Sequence, residues 1–172
     1  MGPAIIVVAV CLAYASSIDG AFLLDDHESI VRNPDVHTFR SALTAMGRPV
    51  LGLSLWANLK LHGLNRAGFH IVNVLLHVSS ALCVFWLVRH SLIRAGAVRF
   101  SHAARPLALT VALFWGVHPL TTSSVTYVVQ RGEVMAGLFY LLTLICACKA
   151  DGPRPVLWSV LAVACCLLAM GS

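Results

Sequence analysis

Charge is what this sequence has least of. Asp, Glu, Lys and Arg make up 11% of its 172 residues, against 59% hydrophobic residues, and the mean hydropathy is +0.84. A soluble domain carries about 25% charged and roughly 45–50% apolar residues. The deficit argues against a soluble globular domain, a disordered chain and a nucleic-acid-binding module, and makes lipid the expected solvent. Other absences narrow the reading. No C-x-x-C pair occurs, and Cys11, Cys83, Cys146, Cys148, Cys165 and Cys166 all lie in apolar runs. They read as small apolar filler rather than a disulfide framework or zinc site. No Lys or Arg precedes the first apolar stretch, which departs from a secretory leader. Ala13-Tyr14-Ala15 nevertheless has the form of a signal-peptidase site, and cleavage at Ala15 is the alternative. Ile6 breaks the myristoylation pattern. No 34-residue helical repeat is visible.

What remains is a set of five stretches free of Asp, Glu, Lys and Arg: Met1–Ile18, Ala67–Val88, Pro106–Gln130, Val134–Cys148 and Pro155–Ser172. A bilayer-spanning helix needs about 20 largely apolar residues. Ala67–Val88, with 22 residues, passes outright. The first and fifth pass with their flanks. Val134–Cys148 is short and needs its end groups, Glu133 and Lys149, to reach the interface. Pro119 interrupts the third run and biases His118 away from helical geometry. A helix over about Arg99–Val117, then a separate segment Leu120–Gln130 near the interface, is expected. The fold class is therefore an all-α polytopic membrane protein. It has about five transmembrane helices in one domain, residues 1–172, with a long first extracytoplasmic loop, residues 25–66.

The few charges sit between the runs. Asp25–Arg66 holds Asp25, Asp26, Glu28 and Asp35 with Arg32, Arg40, Arg48, Lys60 and Arg66. Arg89, Arg94, Arg99 and Arg105 follow the second run with no acid among them. Arg131 and Glu133 separate the third and fourth runs, and Lys149, Asp151 and Arg154 the fourth and fifth. Alternate connections share a membrane side, and each side then carries six Lys and Arg residues. The positive-inside rule counts only these. Their density in short loops places Arg89–Arg105 in the cytoplasm, and the Asp25–Arg66 loop outside it.

Within that loop, Asn33-Pro34 signals a turn. Pro49 suits the first turn of a helix, and Val50–Leu61 repeats Leu51, Leu55 and Leu59 at helical spacing. It is too short to span and suits a helix lying in the interface. In the second run His70, Asn73, His77 and Ser80 are spaced 3, 4 and 3, which puts them on one helix face. Polar residues in a span usually face the bundle interior. His70 and His77 lie about 10.5 Å apart along the axis and cannot share one ion alone. Interhelical hydrogen bonding is the preferred role, with metal binding as the alternative.

Two groups of residues could carry chemistry. Asp25-Asp26 follows the first span, where partial desolvation and like charge can tune a carboxylate into a base. A helix cap or plain interfacial charge is the commoner origin of such a pair. His118, Tyr127, Gln130, Arg131 and Glu133 lie on the same side. A cation with hydrogen-bond donors suits a phosphate, whereas an ion pair of Arg131 with Glu133 or a loop acid is the structural alternative.

These motifs together resemble a known family. F-L-L-D-D-H-E-S-I-V-R-N-P-D-V at Phe22–Val36 is similar to the first lumenal loop of the TMTC-like and bacterial TPR-containing membrane glycosyltransferases. Arg48-Pro49, L-H-G-L at Leu61–Leu64, G-F-H-I-V-N-V-L-L-H at Gly68–His77 and F-W-G-V-H-P-L-T-T-S-S-V-T-Y-V-V-Q-R-G-E at Phe114–Glu133 continue it in order. The last form resembles bacterial members more than animal ones, which favours a bacterial inner membrane over the endoplasmic reticulum. The resemblance implies the GT-C class. Such enzymes transfer a sugar, often mannose, from a dolichyl- or polyprenyl-phosphate carrier to an acceptor hydroxyl outside the cytoplasm. It implies Asp25 or Asp26 as the base and Arg131, His118 and, less directly, Arg48 as ligands of the phosphate. No cofactor is implied, and participation of a divalent metal is left open. Partners implied are membrane lipid, the lipid-phosphate sugar, and other membrane subunits or a C-terminal part, with no nucleic acid. Family members have roughly twice as many spans and usually a tetratricopeptide region. This chain, stopping at Ser172 in an apolar run, is expected to be the N-terminal portion of such an enzyme and inactive alone.

Two other readings stand beside this one. A non-catalytic membrane subunit could keep the GT-C-like fold without the chemistry. A transporter piece could use the polar stripe, although the clear spans hold no Asp, Glu or Lys to favour it. The expected topology puts Asp35 and Arg94 on opposite membrane faces. Single cysteines introduced beside each should label with an impermeant thiol reagent from opposite sides, and labelling of both from one side refutes it.

Overall fold

The structure is a computed structural model, and it describes residues 2–23, 25–95 and 103–172. Every regular element among them is helical. Eight α-helices run in chain order: α1 Gly2–Ala13, α2 Phe39–Ala42, α3 Pro49–His62, α4 Arg66–Arg94, α5 Ala104–Gly116, α6 Thr122–Thr126, α7 Arg131–Ala150 and α8 Pro155–Met170. Tighter 3-10 turns occur at Ala15–Asp19, Pro34–His37, Ala45–Gly47 and Pro119–Thr121, and His27–Val31 forms a wider π-helical turn.

Helix α4 is the hub, packing against α1, α5 and α7. Its start is specified locally. Asn65 is extended and its side chain accepts from the Ala67 N–H at 3.1 Å, capping one of the free amides of the first turn. Just before it, Gly63 ends α3 with φ +58°, a conformation most L side chains avoid. The long helices alternate in direction. Gly2 lies beside Phe85 and Arg105, Arg94 pairs with Asp151 at 2.7 Å, and the Gly171 carbonyl accepts from the Val50 N–H at 2.9 Å. One end of the bundle therefore gathers the connections on either side of residue 100 and of residue 151. The other gathers the long loop, the Pro119 region and Arg131.

The bundle core is Ile6, Val10, Tyr14, Val74, Val78, Ala81, Ala112, Val125 and Val134. A second apolar cluster, Phe22, Ile30, Val36, Ala45, Leu51, Leu55, Phe69 and Val128, lies under the long loop. Outward faces are apolar too. Ile5, Val8 and Leu12 of α1, Leu107, Val111 and Phe114 of α5, and Val156, Val160, Val163 and Leu167 of α8 are exposed. Continuous apolar surface of this kind is rare on soluble monomers and is what a hydrocarbon solvent requires.

The expectation of five spans is corrected in length. Among the described residues five apolar helices are present, and two of them, α4 and α7, are long and apolar enough to cross a membrane. At about 1.5 Å per residue the 29 residues of α4 reach some 43 Å and the 20 of α7 about 30 Å. Helices α1, α5 and α8 have 12, 13 and 16 residues. The reversal is instructive, because the run judged short, Val134–Cys148, belongs to one of the two long helices. Its charge-free window is bounded by Glu133, whereas the helix begins two residues earlier at Arg131, which is wholly buried. The break at Pro119 is present. Helix α5 stops at Gly116, and His118 is extended at ψ 133°, as a residue before proline must be. The expected start of that helix at Arg99 lies outside the described residues. The loop helix runs Pro49–His62 and is not a loose surface helix, because Leu51, Gly52, Leu55 and Asn58 are buried.

Gly52 marks the closest approach of two backbones in the loop. A Cβ there would sit 2.1 Å from the Ala42 carbonyl oxygen. Gly52→Ala must therefore push α2 off α3, at an expected cost of about 1–3 kcal/mol. A lowered midpoint in thermal unfolding, with helix content retained below it, is the measurement.

Candidate functional site

The buried polar residues converge at the loop end, around Arg131. Its side chain has no exposed surface. Nε donates to Asn73 Oδ1 at 2.7 Å. Nη2 donates to Asn58 Oδ1 at 2.9 Å and to the Phe69 carbonyl at 3.0 Å. Nη1 donates to Ser54 Oγ at 3.2 Å and to the Ser54 carbonyl at 3.4 Å. The guanidinium also lies over the Phe69 ring, 5.5 Å from its centroid. None of these acceptors is a carboxylate. The cation is held by neutral dipoles from α3 and α4, and its fork of five N–H groups is matched by five bonds. A planar, delocalised and weakly hydrated ion is the cation best suited to such a seat.

Asn73 carries the network onward. Its Nδ2 donates to the carbonyls of Val125 and Tyr127, at 3.2 and 3.1 Å. His77 Nε2 donates to the Gly116 carbonyl at 2.9 Å, and its ring stacks on Trp115 with centroids 4.9 Å apart. These carbonyls belong to the stretch where Pro119 interrupts the helix, so the α4 stripe takes up the backbone groups left without helical partners. Ser80 bonds within its own helix, to the Leu76 carbonyl at 3.0 Å. His70 differs from the rest. It is 1% exposed, and neither ring nitrogen has a hydrogen-bond partner among the described residues. Gly20 packs against it so closely that a Cβ would lie 3.1 Å from Nε2.

The two aspartates have different surroundings. Asp26 is 1% exposed. Its Oδ2 accepts from the Leu23 N–H at 3.1 Å and its Oδ1 from the Val129 N–H at 2.8 Å. It ties the start of the loop to the turn that leads into Arg131. Asp25, its neighbour, is exposed. Arg48 is exposed as well, with Nη1 3.4 Å from Glu133 Oε1, a surface pair worth about 0–1 kcal/mol. It lies over Gly132, where a Cβ would come 3.1 Å from Nη1. Arg131 and Glu133 therefore do not pair with each other.

At the loop end Asp26 meets the turn before Arg131 through the Val129 amide, and Arg48 meets Glu133 just after it, whereas Asp25 makes no described contact with either arginine. His118 does not join them by any described contact. Its Nδ1 accepts from the Leu120 N–H at 3.2 Å, and its ring meets Phe114 edge-on at 5.2 Å. No three His, Cys, Asp or Glu side chains gather in metal-binding geometry among the described residues. Sequence reasoning missed Ser54 and Asn58. Their signal was present, as two polar residues four apart on a helix whose neighbouring positions, Leu51 and Leu55, form its buried side.

An all-helical, apolar fold with a carboxylate pair beside a buried arginine network defines a helical membrane-type protein with a polar site at one end. Comparison with known proteins makes the class specific. Over 160 residues the chain is 32% identical to the mouse "Protein O-mannosyl-transferase TMTC4", covering 81% of this chain and 22% of that protein. The human protein of the same name is 33% identical over 165 residues, 84% of this chain and 22% of that one. The mouse "Protein O-mannosyl-transferase TMTC1" is 32% identical over 160 residues, 83% of this chain and 16% of that one. The chain resembles the TMTC-like glycosyltransferase family over most of its length. It spans about a fifth of the length of the curated relatives it matches. No family model matches it, and no solved structure matches it. The relatives named here are animal proteins, and they give no support to a bacterial inner membrane.

Arg131→Lys replaces a five-donor fork with a single ammonium and strands Asn58 or Asn73. Arg131→Ala strands both, and breaking a buried charged network costs about 3–5 kcal/mol. Both variants should unfold at lower denaturant or temperature, Ala more than Lys. Equal stability of all three proteins would remove Arg131 from this role.

Proposed function

We propose that this chain supplies the carboxylate side of a glycosyltransferase site in a polytopic membrane protein. The reaction read from it is transfer of a mannosyl-type sugar from a polyprenyl- or dolichyl-phosphate donor to an acceptor hydroxyl on the extracytoplasmic side. The observation that carries this reading is the division of labour between Asp25 and Asp26. Asp26 is locked by two backbone amides, so its neighbour Asp25 is presented, exposed, from a fixed backbone. The O-mannosyl-transferase names of the similar proteins support the reaction class.

In this reading Asp25 takes the proton from the acceptor hydroxyl as its oxygen attacks the sugar's anomeric carbon. The bond from that carbon to the phosphate oxygen breaks, and the phosphate leaves with the electron pair. No proton need be supplied to it, because its charge can be stabilised by a cation. Arg48, exposed at the loop end, is the cation this reading assigns to that task. Arg131, already fully engaged with protein acceptors, acts as a positioning residue. It holds the turn whose Val129 amide grips Asp26.

The test measures radiolabelled mannose transfer from dolichyl-phosphate mannose in membranes containing the protein, for Asp25→Asn and Asp26→Asn. Removing a general base typically costs about 10²–10⁴-fold in rate. Asp25→Asn should lose that much with stability unchanged, whereas Asp26→Asn should lower stability together with transfer. Undiminished transfer by a folded Asp25→Asn protein would falsify the assignment of the base.

A further inference from the structure

The end of the bundle remote from Asp25 holds a second, differently built site. Helices α4, α7 and α8 border an open surface groove of about 350 Å³ there, lined by His90, Arg94, Lys149, Asp151 and Trp158 among others. Small-molecule pockets start at roughly 300 Å³, so the space suits a headgroup better than a bare ion. The lining is cationic and aromatic. The Lys149 ammonium lies 4.4 Å from the Trp158 ring centroid and 5.6 Å from that of Trp86, and it has no ion-pair partner among the described residues. The His90 ring stacks on Trp86 at 4.6 Å with its plane only 10° away. Its Nε2 is buried, out of reach of solvent, and has no hydrogen-bond partner among the described residues. Arg94 Nη1 pairs with Asp151 Oδ2 at 2.7 Å, and both side chains stay more than half exposed.

Three observations point to one ligand class. The groove lies at the ends of the two helices long enough to cross a membrane, at Arg94 and at Lys149-Ala150, which is headgroup depth if those helices span. Tryptophan and Lys/Arg are the residues favoured at that depth. Arg89, Arg105 and Arg154 add to Arg94 and Lys149 at this end, and Asp151 is the lone acid there among the described residues. Lys149 and Arg94 both line the groove, and cationic donors side by side suit a phosphate.

We propose that this groove binds the phosphate of an acidic membrane phospholipid, with Lys149 and Arg94 as its ligands and Trp158 as its apolar wall. Basic pockets between membrane helices recognise anionic headgroups in this way. Asp151 is the brake, since it occupies part of the Arg94 fork that the phosphate would use.

The experiment is native mass spectrometry of the full chain in detergent. It is supplied with phosphatidylglycerol, with phosphatidylcholine, or with phosphatidylglycerol and excess inorganic phosphate. One phosphatidylglycerol should be retained in at least fivefold preference to phosphatidylcholine. Lys149→Gln should erase most of that preference, about fivefold for one lost cation, with helix content unchanged. Asp151→Asn should strengthen retention, which no general loss of folding can imitate. Equal retention of the two lipids, or a preference untouched by Lys149→Gln, overturns the site. Displacement of the lipid by inorganic phosphate overturns its lipid source.

Discussion

The seat of Arg131 is the constraint on which the rest of the loop end depends. A guanidinium without water must place all of its N–H groups on protein, because each unmade bond to a buried charge is costly. Its acceptors come from Ser54 and Asn58 on α3 and from Phe69 and Asn73 on α4. The first residue of α7 therefore ties together one face each of α3 and α4. In a low-dielectric interior such a network is either wholly satisfied or strongly destabilising. Few other charges in the chain are buried, so few other residues carry comparable positional information.

The broken stretch between α5 and α7 shows how that constraint spreads. Pro119 frees backbone groups that a continuous helix would pair internally. Lipid offers no replacement partners. Asn73 and His77 on α4 accommodate the carbonyls of Gly116, Val125 and Tyr127, and Asp26 accepts from the Val129 amide. Asn73 is bonded to Arg131 and to this backbone at once. The polar stripe and the carboxylate thus do one job from opposite sides. They make a non-helical segment tolerable at this position, and in doing so set the height at which Asp25 meets solvent.

Much of this was legible in the sequence. The 3, 4, 3 spacing of His70, Asn73, His77 and Ser80 defines one face of α4, and all four are buried. The proline at position 119 marks the helix break, and the five apolar runs correspond to five apolar helices. The errors share one physical origin, which is that a charge was read as a boundary. Glu133 and Lys149 bound the fourth run by charge, yet α7 runs through both, from Arg131 to Ala150, and Arg131, expected as an interfacial cation open to a phosphate, is buried instead. Pattern reading assigns Arg to the surface because isolated buried charge is expensive. It has no means of seeing five neutral acceptor atoms arriving from residues 54, 58, 69 and 73. Likewise Asp25 and Asp26 are equivalent as letters, and only the amides of Leu23 and Val129 distinguish them.

The two ends of the bundle then solve the scarcity of charge in opposite ways. At the loop end the decisive ions are internal and spoken for: Arg131 by neutral dipoles, Asp26 by backbone amides. Such ions specify geometry and leave Asp25 among the exposed charges of the loop end. At the far end Lys149 rests on indole faces, where the attraction is worth about 0.5–2 kcal/mol and leaves its three donors largely uncommitted. A cation held by aromatic rings keeps its charge available, whereas one held by five hydrogen bonds does not. That difference in holding, more than the number of charges, is why the loop end reads as a built scaffold for a carboxylate and the far end as a receptor for an anion.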